Sequence, residues 1–458
     1  MKTAKVMVPV ADRISLKEKI GYSLGDAASN FYWKTFEFFV FFFYTDVFGI
    51  TAAAVGTMLL VTRVLDAVAD PVIGSIADRT RTRWGHFRPY LLWGALPFAV
   101  AGVLTFSTPN LGGGAKLVYA YITYSSLMFI YTAVNIPYSA LMGVITPNSQ
   151  ERTSISSIRF IGAFTVGIFV QFCTLPLVKF FGRGSDTRGW QLTMVLYGTL
   201  AVILLLLCFV STRERVAPPP QQHANIRRDL RDLFGSKPWI VLVGVLLLTL
   251  AAFAVKGSVT ISYFKYFVKR EDLIGWFLLS NGFAFIAAVL ITSHLARWIG
   301  KKPLFMLALG LGGLVIGLFS FAKPADIKFM FALQIASSFI IAFNSPLVWA
   351  MFADTADHAE WRTGRRNTGL VFASAIFATK IGFAVGAWML GLILTYFGYV
   401  ANVEQTGSSL HGIILSMSWI PCVLLVLAAA AMAAYPLNDT LMVKIEADLK
   451  QRRGEIER

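Results

Sequence analysis

Two aspartates stand one helical turn apart in the stretch RVLDAVADP, inside an apolar segment from about Thr51 to Ala77. Asp66 and Asp70 follow Arg63 at helical spacing, which places all three side chains on one face of a predicted helix. Two carboxylates this close do not both stay ionised in a low-dielectric setting unless something neutralises one of them. A bound Na⁺, a shared proton or Arg63 would do so, and only the first two would make the pair an ion-coupling site. The alternative is a structural Arg63–Asp66 pair, with Asp70 closing the inner end of the helix.

A second polar face lies on the first apolar segment of the chain. Its members recur at offsets of 4, 7, 8 and 11 from the first, and they are Asp26, Asn30, Trp33, Lys34 and Glu37. Lys34 and Glu37 have the i,i+3 spacing of a structural ion pair. Asp26 has no such partner in its own helix, which makes it the better candidate for binding a ligand.

Other candidates are polar or charged residues inside apolar segments: Tyr131, Thr132, Asn135, Arg159, Lys256 and Lys380. Pro137 removes a backbone donor and frees a carbonyl on the turn that carries Tyr131 and Thr132. That turn is either an ion ligand or a simple kink. Charged side chains cost roughly 2.5 to 3.5 kcal/mol at the centre of a bilayer, so those that are present usually face a wet cavity.

The elements that carry these residues are predicted membrane spans. Apolar residues make up 56% of the 458 positions and charged residues 14%, with a mean hydropathy of +0.64, which is typical of an all-helical membrane protein. Twelve segments are long enough to cross a bilayer. They lie near 20–46, 52–77, 87–107, 116–146, 155–179, 190–211, 238–267, 272–296, 302–322, 327–353, 367–398 and 409–436.

The distribution of basic residues predicts the orientation of the spans. With the N-terminus inside, the inner segments hold 27 Lys and Arg and the outer loops hold 9, so both termini are expected to be cytoplasmic. Anionic inner-leaflet lipid then accounts for the net charge of +16, and no nucleic-acid partner is expected. Cys173, Cys208 and Cys422 lack metal-site spacing and are interpreted as packing residues.

A polar, basic stretch with three consecutive prolines divides the chain. We therefore predict an N-terminal six-helix half (1–210), a cytoplasmic linker (211–237), a C-terminal six-helix half (238–437) and a cytoplasmic tail (438–458). The tail has Leu441, Ile445 and Leu449 at helical spacing and is interpreted as an amphipathic helix on the inner membrane face. Two six-helix halves with a substrate site between them is the layout of major facilitator transporters, and other twelve-helix carriers are the alternative fold.

Several blocks along nearly the whole chain carry a more specific resemblance. They are GYSLGDAASN (21–30), FFYTDVFGI (42–50), RVLDAVADP (63–71), DRTRTRWGHFRPYLLWG (78–94), YTAVNIPYSAL (131–141), RTSISSIRF (152–160), ADTADHAEWRTGRR (353–366) and GYVANVEQT (398–406). Together they resemble the glycoside–pentoside–hexuronide:cation symporters, and the wording is closer to the xyloside and glucuronide permeases than to the melibiose permease.

The resemblance implies roles for individual residues. Asp66, Asp70 and Thr132 match the cation site of the family, and Asp66 and Asp70 would be the metal ligands if the ion is Na⁺. Asp26 matches the aspartate that holds sugar hydroxyls. Arg159 and Lys380 match basic residues beside the cavity.

Two departures from the melibiose permease separate this chain from it. Asn135 stands where the permease has an aspartate, and Ser139 replaces an aromatic residue. Ala69 replaces an asparagine and so removes one neutral oxygen beside the cation site. These changes count against melibiose as the substrate and against Na⁺ as the coupling ion.

These observations predict a secondary active transporter that couples a sugar, either a glycoside or a pentoside, to Na⁺ or H⁺ by alternating access. The expected substrate-binding residues are Asp26, Asn30, Trp33, Tyr131, Asn135, Arg159, Lys256 and Lys380. A symporter of an acidic sugar and a non-transporting sugar sensor are the alternatives. We expect no enzyme activity, no cofactor besides the coupling ion, and a monomer in the bacterial inner membrane among lipids.

Overall fold

The protein was analysed as a computed structural model that describes residues 14–146, 149–215, 233–363 and 368–456. These residues are almost wholly helical. Six helices form the first part: α1 Leu16–Phe42, α2 Ala52–Arg79, α3 Arg88–Thr105, α4 Gly113–Ile145, α5 Ser149–Gly182 and α6 Asp186–Ser211. The rest are α7 Lys237–Ser262, α8 Ile274–Ile299, α9 Lys301–Gly317, α10 Ile327–Ala342, α11 Asn344–Thr363, α12 Thr368–Tyr396, α13 Gly407–Met417, α14 Trp419–Ala433 and α15 Asp439–Ile456.

Most of the predicted spans match helices that can cross a membrane. Within the described ranges, 10 helical segments are long and apolar enough to do so. The predicted first and third spans are helices as well, α1 and α3, but they are not among those 10. The all-helical membrane class is therefore confirmed, and the count of twelve spans stays a prediction. Most of the predicted linker, residues 216–232, lies outside the described residues.

Two predicted spans are each built from two helices. The segment 327–353 is interrupted at Phe343, between α10 and α11, and the segment 409–436 is interrupted at Ser418, between α13 and α14. Pro346 and Pro421 lie four residues after the last residues of α10 and α13. A proline ring clashes with the carbonyl four positions earlier, which ends the helix there. By contrast, α4 runs unbroken through Pro137.

The chain divides into two compact units. Unit 1 consists of Met1–Ile50 and Val61–Gln221, and unit 2 of Thr51–Leu60 and Gln222–Arg458. In unit 1, α1 packs along α5 and α6, and α3 packs against α4 and α6. Aromatic rings fill the centre of this unit, where Phe106 stacks on the buried Trp190 at a centroid distance of 5.7 Å. This packing fixes α1, the helix that carries the first polar face.

In unit 2, α7 packs along α12 and α14, and α9 packs against α10 and α14. The first ten residues of α2 belong to this unit and approach α12 closely. A side chain at Gly56 would place its Cβ 2.9 Å from the Cα of Trp388, and the Ala53 amide donates to Thr395 Oγ1 at 3.1 Å. Small residues are therefore required at this contact.

The tail helix α15 covers protein where the sequence led us to expect lipid. Met442, Ile445 and Leu449 are buried in the core cluster of unit 2, and the Trp361 indole donates to Asp448 at 2.9 Å. The amphipathic helix is present as predicted. Its placement on the membrane face was wrong, because the apolar stripe finds a hydrophobic partner within unit 2.

Candidate functional site

Asp26 acquires its partner from another helix of unit 1. The packing of α1 along α5 brings Arg159 beside it, and the guanidinium Nε donates to Asp26 Oδ2 at 2.9 Å. Arg159 also lies over the Tyr138 ring, at 5.4 Å from its centroid. Both side chains are mostly buried, so Arg159 serves a carboxylate inside the helical bundle and does not extend to the membrane surface. The pair presents an acceptor and donors at one place, as recognition of hydroxyl groups requires.

The other members of the α1 polar face divide into two groups. The Asn30 amide donates to the backbone oxygen of Asp26 at 2.8 Å. The Trp33 ring stacks on Tyr131 of α4, with centroids 5.3 Å apart and planes inclined by 23°. Lys34 and Glu37 form the i,i+3 pair at 2.6 Å, as their spacing indicated, so their charges compensate each other. Asn30, Trp33 and Tyr131 thus lie together near Asp26.

The predicted cation residues meet where α2 packs beside α4. Thr132 Oγ1 donates to Asp66 Oδ1 at 2.5 Å, and both side chains are buried. Asp70 is half-buried one turn further along α2. Thr132 contacts the carboxylate through its hydroxyl group, so the contact does not depend on a carbonyl freed by Pro137.

Arg63 does not pair with the carboxylate that follows it. Among the described residues it forms no ion pair, and its guanidinium lies over the Trp33 ring at 4.7 Å from the centroid. The structural Arg63–Asp66 pair that the spacing allowed is therefore absent from this structure. Neutralisation of the Asp66 and Asp70 pair must come from another source.

A pocket of about 450 Å³ opens beside Asp66, between α2 and α4. Its wall comprises Thr62, Leu65, Asp66, Ala69, Ser125, Ser126, Met128, Phe129 and Ile130. Three hydroxyl groups thus join the carboxylate, and hydroxyl, carboxylate and water oxygens are the ligands that hard cations prefer. Sequence analysis missed Thr62 and Ser125, although Thr62 lies one turn before Asp66 and Ser125 lies two turns before Thr132.

Asn135 lies one turn after Tyr131 on α4. Its side-chain Nδ2 is buried and has no hydrogen-bond partner. A buried amide donor without an acceptor costs free energy, on the order of 1 to 3 kcal/mol. A bound hydroxyl or carboxylate oxygen would remove this cost, which supports Asn135 as a ligand-binding residue.

Two of the predicted substrate residues belong to unit 2. The Lys256 amine of α7 donates to Gln334 Oε1 at 2.5 Å and lies 5.2 Å from the centroid of Phe319. No carboxylate in the described part of the chain pairs with it. Lys380 is half-buried on α12. The other nine predicted site residues belong to unit 1.

A transition-metal site has no support in the described ranges. No group of three or more His, Cys, Asp or Glu side chains occurs there. The oxygen ligands around Asp66 and Asp70 fit Na⁺ or a proton, which are the ions that a secondary transporter uses.

Comparison with known proteins identifies relatives over the full length of these units. The family described as MFS/sugar transport protein matches residues 21–439. The chain is 38% identical to the putative glycoside/cation symporter YagG of Escherichia coli (strain K12), over 96% of each chain. It is 36% identical to the isoprimeverose transporter of Lactiplantibacillus pentosus, over 98% of this chain and 93% of that one.

Solved structures share the fold at low sequence identity. A bacterial homolog of the human lysosomal transporter Spinster superposes with a TM-score of 0.66 at 14% identity, covering 92% of this chain and 96% of that one. At this identity the likeness concerns the fold alone. The architecture is that of a major facilitator transporter, as the two-half layout predicted.

Proposed function

We propose that this chain, which belongs to the MFS/sugar transport family of glycoside–pentoside–hexuronide:cation symporters, carries a neutral glycoside or pentoside together with Na⁺ or H⁺. As a member of that family it is a multi-pass membrane transporter and not an enzyme. The substrate class and the roles of individual residues are the content of the proposal. We further propose that the chain works as a monomer in the bacterial inner membrane, with both termini in the cytoplasm.

The observation that carries the proposal is the junction at Tyr131 and Thr132. Tyr131 stacks on Trp33 while the next residue donates to Asp66. One turn of α4 therefore contacts both an aromatic pair and the candidate cation site. Aromatic rings present an apolar face to a ligand, and the Asp26 carboxylate accepts hydrogen bonds from hydroxyl groups.

This adjacency supports coupling between the two ligands. A cation at Asp66 and Asp70 would fix the turn of α4 that orients Tyr131, and a sugar against Tyr131 would fix Thr132 in return. Linkage requires each ligand to raise the affinity of the other by the same factor. Alternating exposure of the loaded site then moves both ligands across the membrane.

One observation favours an acidic sugar as the second candidate substrate. The Lys256 amine is held by a neutral oxygen, and no described carboxylate compensates its charge. A carboxylate or sulfonate on the sugar would do so. Uptake of a glucuronide in preference to isoprimeverose would replace the neutral-sugar proposal by this one.

Uptake into proteoliposomes under an imposed Na⁺ or H⁺ gradient tests the proposal. The panel comprises isoprimeverose, a simple xyloside and a glucuronide. We expect accumulation that depends on one of the two gradients and disappears in Asp66→Asn. Asp186→Asn is the matched control, because Asp186 is exposed at the start of α6. Gradient-independent uptake by the unmutated protein would refute the symport mechanism.

A further inference from the structure

Arg63 is a buried cation that the transport scheme above leaves unused. Its side chain is buried, its Nη1 has no hydrogen-bond partner, and it forms no ion pair with any described residue. Its only recorded neighbour is the face of Trp33. Taking a charge out of water costs several kcal/mol unless a partner compensates it. A guanidinium kept under these conditions indicates a partner in another state of the protein.

The nearest acceptor for this guanidinium is Asp66. Arg63 precedes Asp66 by three residues on α2, a spacing at which side chains of a helix reach each other. The charges of both residues act on the buried hydroxyl of Tyr124 in α4. They therefore lie on the same side of the packing between α2 and α4. A change of the Arg63 rotamer is enough to carry its guanidinium from Trp33 to the carboxylate.

A symporter needs such a cation during one half of its cycle. After it releases sugar and ion, it must return empty, with the carboxylates of Asp66 and Asp70 no longer neutralised by the coupling ion. Ionised carboxylates inside apolar helices are expensive, roughly 2.5 to 3.5 kcal/mol each on insertion scales. A cation supplied by the protein would lower that cost without being transported.

We propose that Arg63 takes the place of the coupling ion in the empty carrier. When the ion leaves, the guanidinium moves from Trp33 onto Asp66, and when the ion returns it moves back. This inference rests on the proposed function, because it assumes that the ion binds at Asp66. It assigns Arg63 a positioning role in the return step and no contact with the transported ion.

The same movement links the ion to the sugar. With the ion bound, Arg63 lies on Trp33 and holds the ring against Tyr131. A cation over a tryptophan face contributes about 0.5 to 2 kcal/mol. Ion binding thus orders the aromatic pair before the sugar arrives. In the empty carrier Trp33 loses this contact.

The test compares net uptake with sugar exchange in proteoliposomes, using labelled isoprimeverose as the probe. Exchange requires only the loaded carrier, whereas net uptake requires the empty carrier to return. In Arg63→Gln we expect exchange within about twofold of the unmutated rate and net uptake reduced at least tenfold, the change that about 1.4 kcal/mol produces. Arg63→Lys keeps the charge and is expected to retain most net uptake. Arg79→Gln, a change at the inner end of α2, should alter neither rate.

A second measurement needs no sugar. Titration of the purified protein with NaCl, and separately with acid, should change tryptophan fluorescence, because Arg63 returns to Trp33 when the ion binds. We expect this change to disappear in Arg63→Gln and in Trp33→Phe. Equal losses of exchange and net uptake in Arg63→Gln, or no loss of either, would overturn the inference. Failure of the symport proposal is distinguishable, because the unmutated protein would then show no gradient-driven uptake.

Discussion

Ala69 lies in the wall of the pocket beside Asp66 and leaves that wall without an amide oxygen. Na⁺ is a hard cation and gains from each additional oxygen ligand, whereas a proton needs only one carboxylate. The hydroxyl groups of Thr62 and Ser125 line the same pocket and would hold water there. The choice of coupling ion is therefore decided by very few atoms around Asp66.

We expect Ala69→Asn to shift coupling towards Na⁺. The added carbonyl oxygen would complete a cation shell, and the pocket of about 450 Å³ has room for the side chain. Uptake driven by an imposed Na⁺ gradient should rise relative to uptake driven by a pH gradient. Ala69→Val fills similar space without an oxygen and serves as the control. An equal effect of both variants on the two gradients would contradict the oxygen argument.

At the scale of the helices, apolar segment length predicted most elements well. The segment 190–211 corresponds to α6, Asp186–Ser211, and the segment 52–77 to α2, Ala52–Arg79. Hydropathy reports whether a segment is apolar but not whether its backbone hydrogen bonds continue. The breaks at Phe343 and Ser418 were missed for that reason, although Pro346 and Pro421 were visible in the sequence.

Partners that are distant in sequence were not predictable from periodicity. The polar face of α1 was recognised, but its partner Arg159 lies 133 residues away from Asp26. A helical repeat identifies which side chains share a face, and it cannot identify the neighbouring helix. The docking of α15 onto unit 2 was missed for the same reason. The resemblance to known symporters supplied Arg159 as a candidate but not its pairing with Asp26.

The close approach of α2 to α12 makes Gly56 intolerant of any side chain. We expect Gly56→Ala to destabilise the protein by about 1 to 3 kcal/mol, because the added Cβ meets backbone atoms of Trp388 that cannot move aside cheaply. Thermal unfolding in detergent measures the effect. Gly244→Ala on α7 is the matched control, since no atom lies within 4 Å of its added Cβ. An equal melting temperature for both variants would contradict the close contact.

The tail helix should contribute to the stability of unit 2. Ile445 is fully buried in the core cluster, and its replacement by Ala is expected to cost about 2 to 5 kcal/mol. Val443, two residues earlier, is 68% exposed, so Val443→Ala should have little effect. Thermal unfolding and limited proteolysis of the tail report the difference. Similar behaviour of the two variants would indicate that α15 does not remain docked in the membrane.

At the scale of the whole molecule, the proposed mechanism is a statement about two binding equilibria. The structure joins the candidate cation site to the aromatic pair through adjacent residues of α4, Tyr131 and Thr132. A short connection of this kind couples binding without requiring a long chain of contacts. The measurable quantity is the coupling free energy between ion and sugar, which has one value whichever ligand is varied.

We expect this reciprocity to hold in the purified protein. The dissociation constant of isoprimeverose, measured without ion and at saturating ion, should fall by about 5- to 150-fold, the range of typical coupling energies. The dissociation constant of the ion, measured without and with saturating sugar, should fall by the same factor. Calorimetric titration provides both ratios, and Asp66→Asn should reduce each towards one. If sugar affinity is independent of both Na⁺ and pH while ion gradients still drive uptake, coupling must arise in the conformational steps and not in binding.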